Sequence, residues 1–325
     1  MKRSCCIQAV ALLVSLALGA GGVLAQRFPN KPVHIVVPVA PGGAIDLTAR
    51  LVGQRLAEAW KQPVVIDNRP GAGETIGANL VAKAAPDGHT LLLSSSLATS
   101  AAIHKTLPYD AARDFAAVTQ LITSPQMLVV GPKLTLASVG ELIALVKSKP
   151  GQLKYGHAGV GSALHLEMEQ FKLSASLADL PGIPYKGAAP ANSALLAGEV
   201  DVAVMPLSMV LAHVKAARLR AIGVLGAKRL AVLPDLATLS ESGVPGVEMD
   251  AWNGFFAPAK TPPEIISLIQ RETLKVLNVP EVRDKLLSLG YVIVGSTPEE
   301  FDARYKSDLA TFARVVKEAR VPLQD

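Results

Sequence analysis

The stretch VHIVVPVAPGGAID, Val33 to Asp46, decides the fold. Val33, Ile35, Val36, Val37 and Val39 form a β-branched apolar run of strand length, which predicts a buried strand. Pro41-Gly42-Gly43 breaks the run, and Asp46 opens a helical pattern. Ala49, Val52, Leu56, Ala59 and Trp60 fall on one arc of that helix, and Arg50, Gln54, Glu58 and Lys61 on the other. The unit is therefore strand, glycine turn, helix start. The first amides of a helix lack intrahelical partners and point out of its N-terminus, where the dipole adds partial positive charge. Such a place holds a carboxylate or phosphate without any Arg or Lys. The alternative is a tight turn capped by Asp46 with nothing bound.

Outward from this unit the same grammar repeats. Strand readings fall at 63–70, 89–96, 126–132, 153–159, 183–187, 201–206, 219–225 and 290–296, with helical patterns between most of them. Ser138-x-x-Glu141, Thr261-x-x-Glu264 and Thr297-x-x-Glu300 read as capping boxes, the last two with Pro at the first helical position. This alternation predicts an α/β fold with parallel-rich sheets flanked by helices. Gly159-Val160-Gly161-Ser162 gives a second strand–glycine–helix start, with Ser162 as N-cap and His165 three residues on. Two anion-competent helix starts, one per half of the chain, converge on a cleft if the halves face each other.

The N-terminus reads as a leader: Lys2 and Arg3, an apolar run from Ile7 to Ala20, and a Val23-Leu24-Ala25 cleavage site. Residues 1–25 are thus expected to be a signal peptide. Cys5 and Cys6 lie inside it, so the mature chain has neither disulfide nor thiolate site. The formal charge of +5 falls to +3 when Lys2 and Arg3 leave, too mild for nucleic acid, and no basic run interleaves with aromatics. The remaining length exceeds what one core usually handles, so two lobes are expected.

The ordered motifs resemble a known family. Phe28 to Pro32, PVAPGGAID (38–46), VVIDNRPGAG with IGA (64–78), APDGHTLL (85–92), LPYDAARDF (107–115), GVGSALHL (159–166), PYKGAAPA (184–191), Ala197 to Asp201 and WNGFFAPAKTP (252–262) are similar to the periplasmic solute-binding proteins of tripartite tricarboxylate transporters, the Bug proteins of Bordetella and related bacteria. The resemblance covers nearly the whole mature chain. It implies a two-lobe Venus-flytrap fold, with lobe 1 formed by 26–125 plus 250–325 and lobe 2 by 126–249. It also implies a small carboxylate held between two βα loops: Val39, Ala40, Gly42, Gly43 and Asp46 in one, Gly159, Gly161, Ser162 and His165 in the other. Ser95, Ser96, Thr99, His157, Met205 and Pro206 are the further candidate ligand contacts.

The sequence departs from the family in four places. Glu74 replaces the usual glycine and is expected on a surface helix start. Ser96 to Ala101, His157 and the segment from Ser174 to Gly182 also differ, and these are expected near the cleft. The implied partners are a small carboxylate and membrane transporter subunits or a sensor kinase. The protein is expected to be periplasmic, monomeric, non-catalytic and without cofactor, metal or nucleic acid.

Rival readings fit less well. Gly71-x-Gly73-x-x-x-Gly77 lacks dinucleotide spacing. An exported serine hydrolase using Ser162 is the main alternative, but no Gly-x-Ser-x-Gly elbow surrounds that residue. The six histidines are scattered and lack acids at metal-ligand spacing.

Overall fold

Strand β1 (Val33–Val37) is flanked on both sides by parallel strands, β2 (Val64–Asn68) and β3 (Thr90–Ser94). Its side chains alternate between two cores. Val33, Ile35 and Val37 pack with Leu91 and Leu93 on one face, and Val36 with Leu92 on the other. Helix α1 (Ala44–Trp60) buries Ala49, Val52 and Leu56 and leaves Arg50, Gln54 and Glu58 towards solvent, as the apolar arc requires. A single 3-10 turn (Ala72–Glu74) leads into α2 (Thr75–Ala82), and α3 (Leu97–Ile103) follows β3. The computed structural model describes residues 28–325, so the expected leader lies outside the described residues.

Strand β4 (Phe115–Ser124) leads out of this sheet, and β10 (Ala251–Pro258) returns beside it. The first sheet has the order β11-β4-β10-β3-β1-β2, with β11 (Val292–Ile293) at its edge. Only Pro125 separates β4 from β5 (Gln126–Val130), which begins the second sheet. That sheet has the order β7-β6-β8-β5-β9, with β6 (Tyr155–His157), β7 (Gly182–Pro184), β8 (Val202–Pro206) and β9 (Arg220–Val224).

The expectation of parallel-rich sheets needs correction. The β1–β2, β1–β3, β6–β7 and β6–β8 pairs are parallel, but β10 runs antiparallel to β3 and β4, and β5 runs antiparallel to β8 and β9. The short edge strand β11 also runs antiparallel to β4. Strands β5 and β10 are ones by which the chain passes between sheets, and a strand entering from the other side runs against its hosts. Both sheets are therefore mixed.

Helices α4 (Val139–Ser148), α5 (Ala163–Ser174), α6 (Ala188–Ala197) and α7 (Leu207–Lys215) belong to the second half. Helices α8 (Pro263–Leu277), α9 (Pro280–Ser288) and α10 (Pro298–Glu318) complete the first. Thr297 and Glu300 form the expected capping box, each side chain bonded to the other's backbone amide. Thr261 does not: α8 starts two residues later with Pro262 as its N-cap, and the Thr261 hydroxyl is buried without a partner. Helix α10 spans both halves, with Phe301 and Tyr305 under the first sheet and Arg314 donating to Gln170 of α5 at 2.8 Å. Among the described residues no helix is long and apolar enough to cross a membrane.

Candidate functional site

Because β1, β2 and β3 are parallel, the turns that follow them lie along one edge of the first sheet. The turn after β1 is held by Asp46. Its carboxylate accepts the Gly42 amide at 2.8 Å, both Arg50 nitrogens at 2.9 and 3.0 Å, and the Asn68 amide at 2.9 Å. Burial pushes this carboxyl up, but the Arg50, Gly42 and Asn68 hydrogen bonds prevail and hold it at about 2. Asn68 also donates to the Val39 carbonyl at 3.1 Å, tying the turn to β2. Gly42 takes φ +89°, a conformation that only glycine adopts cheaply. Gly43 is the N-cap of α1 and supplies no side-chain cap. The opening amides of α1 thus remain available to a ligand, while Ala40 to Ala44 are exposed. Asp46, expected as a contact, is only 1% exposed and shapes the turn.

The second turn follows β6. Ser162 Oγ accepts the His165 amide at 3.3 Å and so caps α5 as expected. His165 Nδ1 accepts the Gly161 amide at 3.1 Å, which removes that donor from the anion site. Its Nε2 faces Glu169 at 3.9 Å, and its ring stacks on His157 at 4.2 Å between centroids. Burial, with His157 adding to the effect, holds the His165 imidazole at about 4, so it is neutral at pH 7. Burial also lowers His157. Below them Glu169 accepts from Lys172 at 2.7 Å and from the Tyr155 hydroxyl. These two histidines, expected as ligand contacts, form a buried stack that supports the turn from beneath, 8% and 2% exposed. With Nδ1 taken by the Gly161 amide and Nε2 facing Glu169, the imidazole is not set up to accept a proton from the Ser162 hydroxyl.

The two halves meet across a cleft of about 260 Å³. Gly73, Ser96, Thr99, Ser100 and Ile103 form one wall and Ala158 to Ala163 the other. Gln324 closes one side, donating to the Val160 carbonyl at 2.8 Å. The cleft thus joins the expected residues Ser96, Thr99, Gly159, Gly161 and Ser162. Val39, Ala40, Gly42 and Gly43 lie on the same sheet edge but outside this lining. Ser95 lines a small adjoining cavity with Glu167, Asp250 and Arg304. Met205, expected in the cleft, is fully enclosed in the second core opposite Met127, and Pro206 is half-buried beside it.

Two of the departures exchange places. Glu74, expected on the surface, is 6% exposed and bonded to Ser94, Ser95 and Ser96 at the cleft wall. The segment from Ser174 to Gly182, expected near the cleft, leads into the opposite ends of β6 and β7, where Gly182 packs on Tyr155. Glu74 is the residue that sequence reasoning missed. The hydroxyl run Ser94-Ser95-Ser96, at a strand end, was the available signal for a buried acceptor.

Comparison with known proteins agrees with this arrangement. Residues 48–318 match the family described as the tripartite tricarboxylate transporter family receptor, TctC. The chain is 34% identical to Protein BugT of Bordetella pertussis over 327 residues, covering 100% of both chains. It is 35% identical to the UPF0065 protein in the tcbD-tcbE intergenic region of Pseudomonas sp. strain P51, covering 95% of this chain and 93% of that one. Among solved structures it is similar to R. palustris Rpa4515 with adipate, at 33% identity and TM-score 0.75, covering 91% of this chain and 100% of that one. It is similar also to MatC from Rhodopseudomonas palustris with bound malate, at 31% identity and TM-score 0.72, covering 89% and 100%. These neighbours are periplasmic-binding-protein folds, and the two mixed sheets with a cleft between them are that fold. The chain belongs to the tripartite tricarboxylate transporter receptor family, the family of the Bug solute-binding proteins.

Proposed function

We propose that this protein is a periplasmic receptor that captures a small organic carboxylate between its lobes, 26–125 plus 250–325 and 126–249, and delivers it to the membrane subunits of a tripartite tricarboxylate-type transporter. The observation that carries the reading is the pair of helix starts, α1 and α5, on facing halves. At each, one glycine amide is tied down by a side chain from within the same helix, Asp46 or His165. The turns are thereby fixed in shape while the first helical amides stay unpaired. Amides aimed at a carboxylate make charge-assisted hydrogen bonds, which a buried anion requires. The relatives solved with adipate and with malate support a carboxylate, since both ligands are dicarboxylates.

The capture is non-catalytic. The Ser162 hydroxyl serves as a helix cap, and the neighbouring imidazole is bonded to backbone.

The test is thermal unfolding of the mature protein, stripped by denaturation and refolding, against mono-, di- and tricarboxylates, amino acids and aromatic acids. A ligand at 100 times its Kd stabilises the fold by about 2.7 kcal/mol, a midpoint shift of roughly 4 °C at this size. No shift with any acid, or ester turnover lost in Ser162→Ala, would overturn the reading.

A further inference from the structure

The cleft wall opposite Gly159–Ser162 contains a carboxyl group without a cation. Glu74 follows Gly73, which lines the cleft, and takes a left-handed backbone at φ 76°. Its Oε2 accepts the Ser94 hydroxyl at 2.5 Å and the Ser96 amide at 3.3 Å. Its Oε1 lies 3.2 Å from the Ser95 hydroxyl and 3.0 Å from the Ser96 hydroxyl. Among the described residues no Lys or Arg forms an ion pair with it. Burial outweighs the serine hydroxyls and the Ser96 amide and leaves the carboxyl above its ordinary range.

The proton positions follow from donor counting. Ser94 Oγ already accepts the Ser96 and Leu97 amides at 3.2 and 3.1 Å, so its own proton points to Glu74. Ser95 and Ser96 each have one proton, and the Glu74 oxygen between them accepts both. Ser96 lines the cleft, so the face it presents there is lone pair, not O–H. Behind that oxygen lies the buried Glu74 carboxyl, which the three serines tie down and no cation neutralises. The helix starts offer donors; this wall offers acceptors. One ligand satisfies both only if it carries acceptor oxygens at one end and a donor at the other. A second carboxylate at this wall would meet acceptor lone pairs with no proton to share, and an ionised Glu74 would add like-charge repulsion behind them.

We propose that the ligand is a carboxylate bearing a hydrogen-bond donor, an ammonium or a hydroxyl group, and that Glu74, acting through Ser96, selects it against a plain dicarboxylate. The inference rests on the carboxylate reading of the cleft. It sets this chain apart from its relative solved with adipate, which has no such donor, and not from the one solved with malate, whose hydroxyl is one.

The experiment measures Kd by calorimetry for matched series of four to six carbons: plain dicarboxylates, amino monocarboxylates and hydroxy monocarboxylates. It uses the wild type, Glu74→Gln and Ser96→Ala, with unfolding midpoints as a folding control. The wild type is expected to prefer a donor-bearing acid over the dicarboxylate of the same length by at least about tenfold. Glu74→Gln should erase that preference, mainly by gaining affinity for the dicarboxylate. If ammonium is the partner, the amino series loses affinity in Glu74→Gln while the hydroxy series barely changes; if hydroxyl, the order reverses. Should Glu74→Gln fail to fold, Ser96→Ala reports the same ratio, which is expected to fall. A wild type that binds the dicarboxylates as well as the donor-bearing acids, or a ratio unmoved in the variants, overturns the proposal and leaves the carboxylate site standing. No binding of any series by any form removes the carboxylate reading and this inference with it.

Discussion

Replacing Asp46 with Asn tests whether the first turn is held by charge. The native carboxylate is almost fully enclosed and accepts from Gly42, Arg50 and Asn68, and it sits at about 2 against an ordinary 3.8. At about 1.36 kcal/mol per pH unit, that difference stabilises the fold by about 2.4 kcal/mol at pH 7. Because the folded value is depressed, this stability is fully present above 3.8 and is lost as pH falls through about 2. The contribution is about 1.3 kcal/mol at pH 3 and a few tenths at pH 2 by the same linkage. Arg50 is half exposed, so solvent screening makes these figures upper bounds. Asn mimics the protonated side chain, so Asp46→Asn should lower the unfolding midpoint by up to about 4 °C at pH 7. The gap from wild type should narrow by about half at pH 3. Circular dichroism melts of both proteins from pH 7 to pH 3 give the comparison. Equal midpoints at pH 7, or a gap that does not narrow on acidification, would show that the Asp46 network does not hold this turn.

Gly43→Asp should abolish carboxylate binding while leaving the apo midpoint unchanged or slightly raised. A Cβ there meets only the Ala40 carbonyl at 3.9 Å, and Asp is a better N-cap than Gly; retained binding by calorimetry would refute the α1 anion site. Gly161→Ala should weaken ligand binding by about tenfold or more and cost about 1–2 kcal/mol in the apo protein. Its φ is +77°, and its Cβ would stand 2.9 Å from Ile103 and 3.2 Å from Gln324 across the cleft, so an unchanged Kd would mean that the lobes need not approach there. Asp250 lies between the halves, with Gln126, Arg304 and Glu167 around it, and burial raises it to about 6 despite the Gln126 amide and Arg304. A raised value means its favourable contribution is present below 3.8 and lost as pH rises through 6, so Asp250→Asn should gain about 3 kcal/mol at pH 7 and under 1 kcal/mol at pH 4. Denaturant midpoints at the two pH values check both the sign and the window.

The parts of the fold that were legible in the sequence are those whose partners are close in sequence. The run from Val33 to Val37, the glycine turn and the α1 arc each carry their own periodicity, and the Thr297–Glu300 box closes on itself. Strands β4 and β10 do not read as strands in the sequence. Both carry polar residues, and their needs are met from far away: Thr119 donates to the Ser296 carbonyl at 2.8 Å, and Trp252 Nε1 to Asp308 at 2.7 Å. A sequence window cannot show that such groups are satisfied, so the segments read as connections. The same blindness hid Glu74, whose hydroxyl partners lie twenty or more residues away. In the site, backbone donors at helix starts were readable because glycine turns and caps are local. Which side chains take up those donors was not, since His165 reaching back to Gly161 depends on ring orientation.

The arrangement also explains how a receptor with no Arg in either turn can discriminate between open and closed states. Each turn is fixed in advance by a side chain of the helix it precedes, so ligand binding does not have to order the backbone. What the ligand adds is contact with both helix starts at once, and only approach of the two halves provides that. Arg314 and Gln170, and Gln324 and Val160, already bridge the halves at 2.8 Å each. These links are neutral or partly solvent-exposed and individually modest. The larger difference between states must then come from the anion itself, whose burial is favourable only when amides from both sides surround it. A ligand that satisfies one helix start gains affinity without closing the lobes. On the proposed function, one that satisfies both, and finds acceptors at the Ser96 wall, favours the closed state by the whole of the second set of contacts, and that difference is the signal offered to the transporter's membrane subunits.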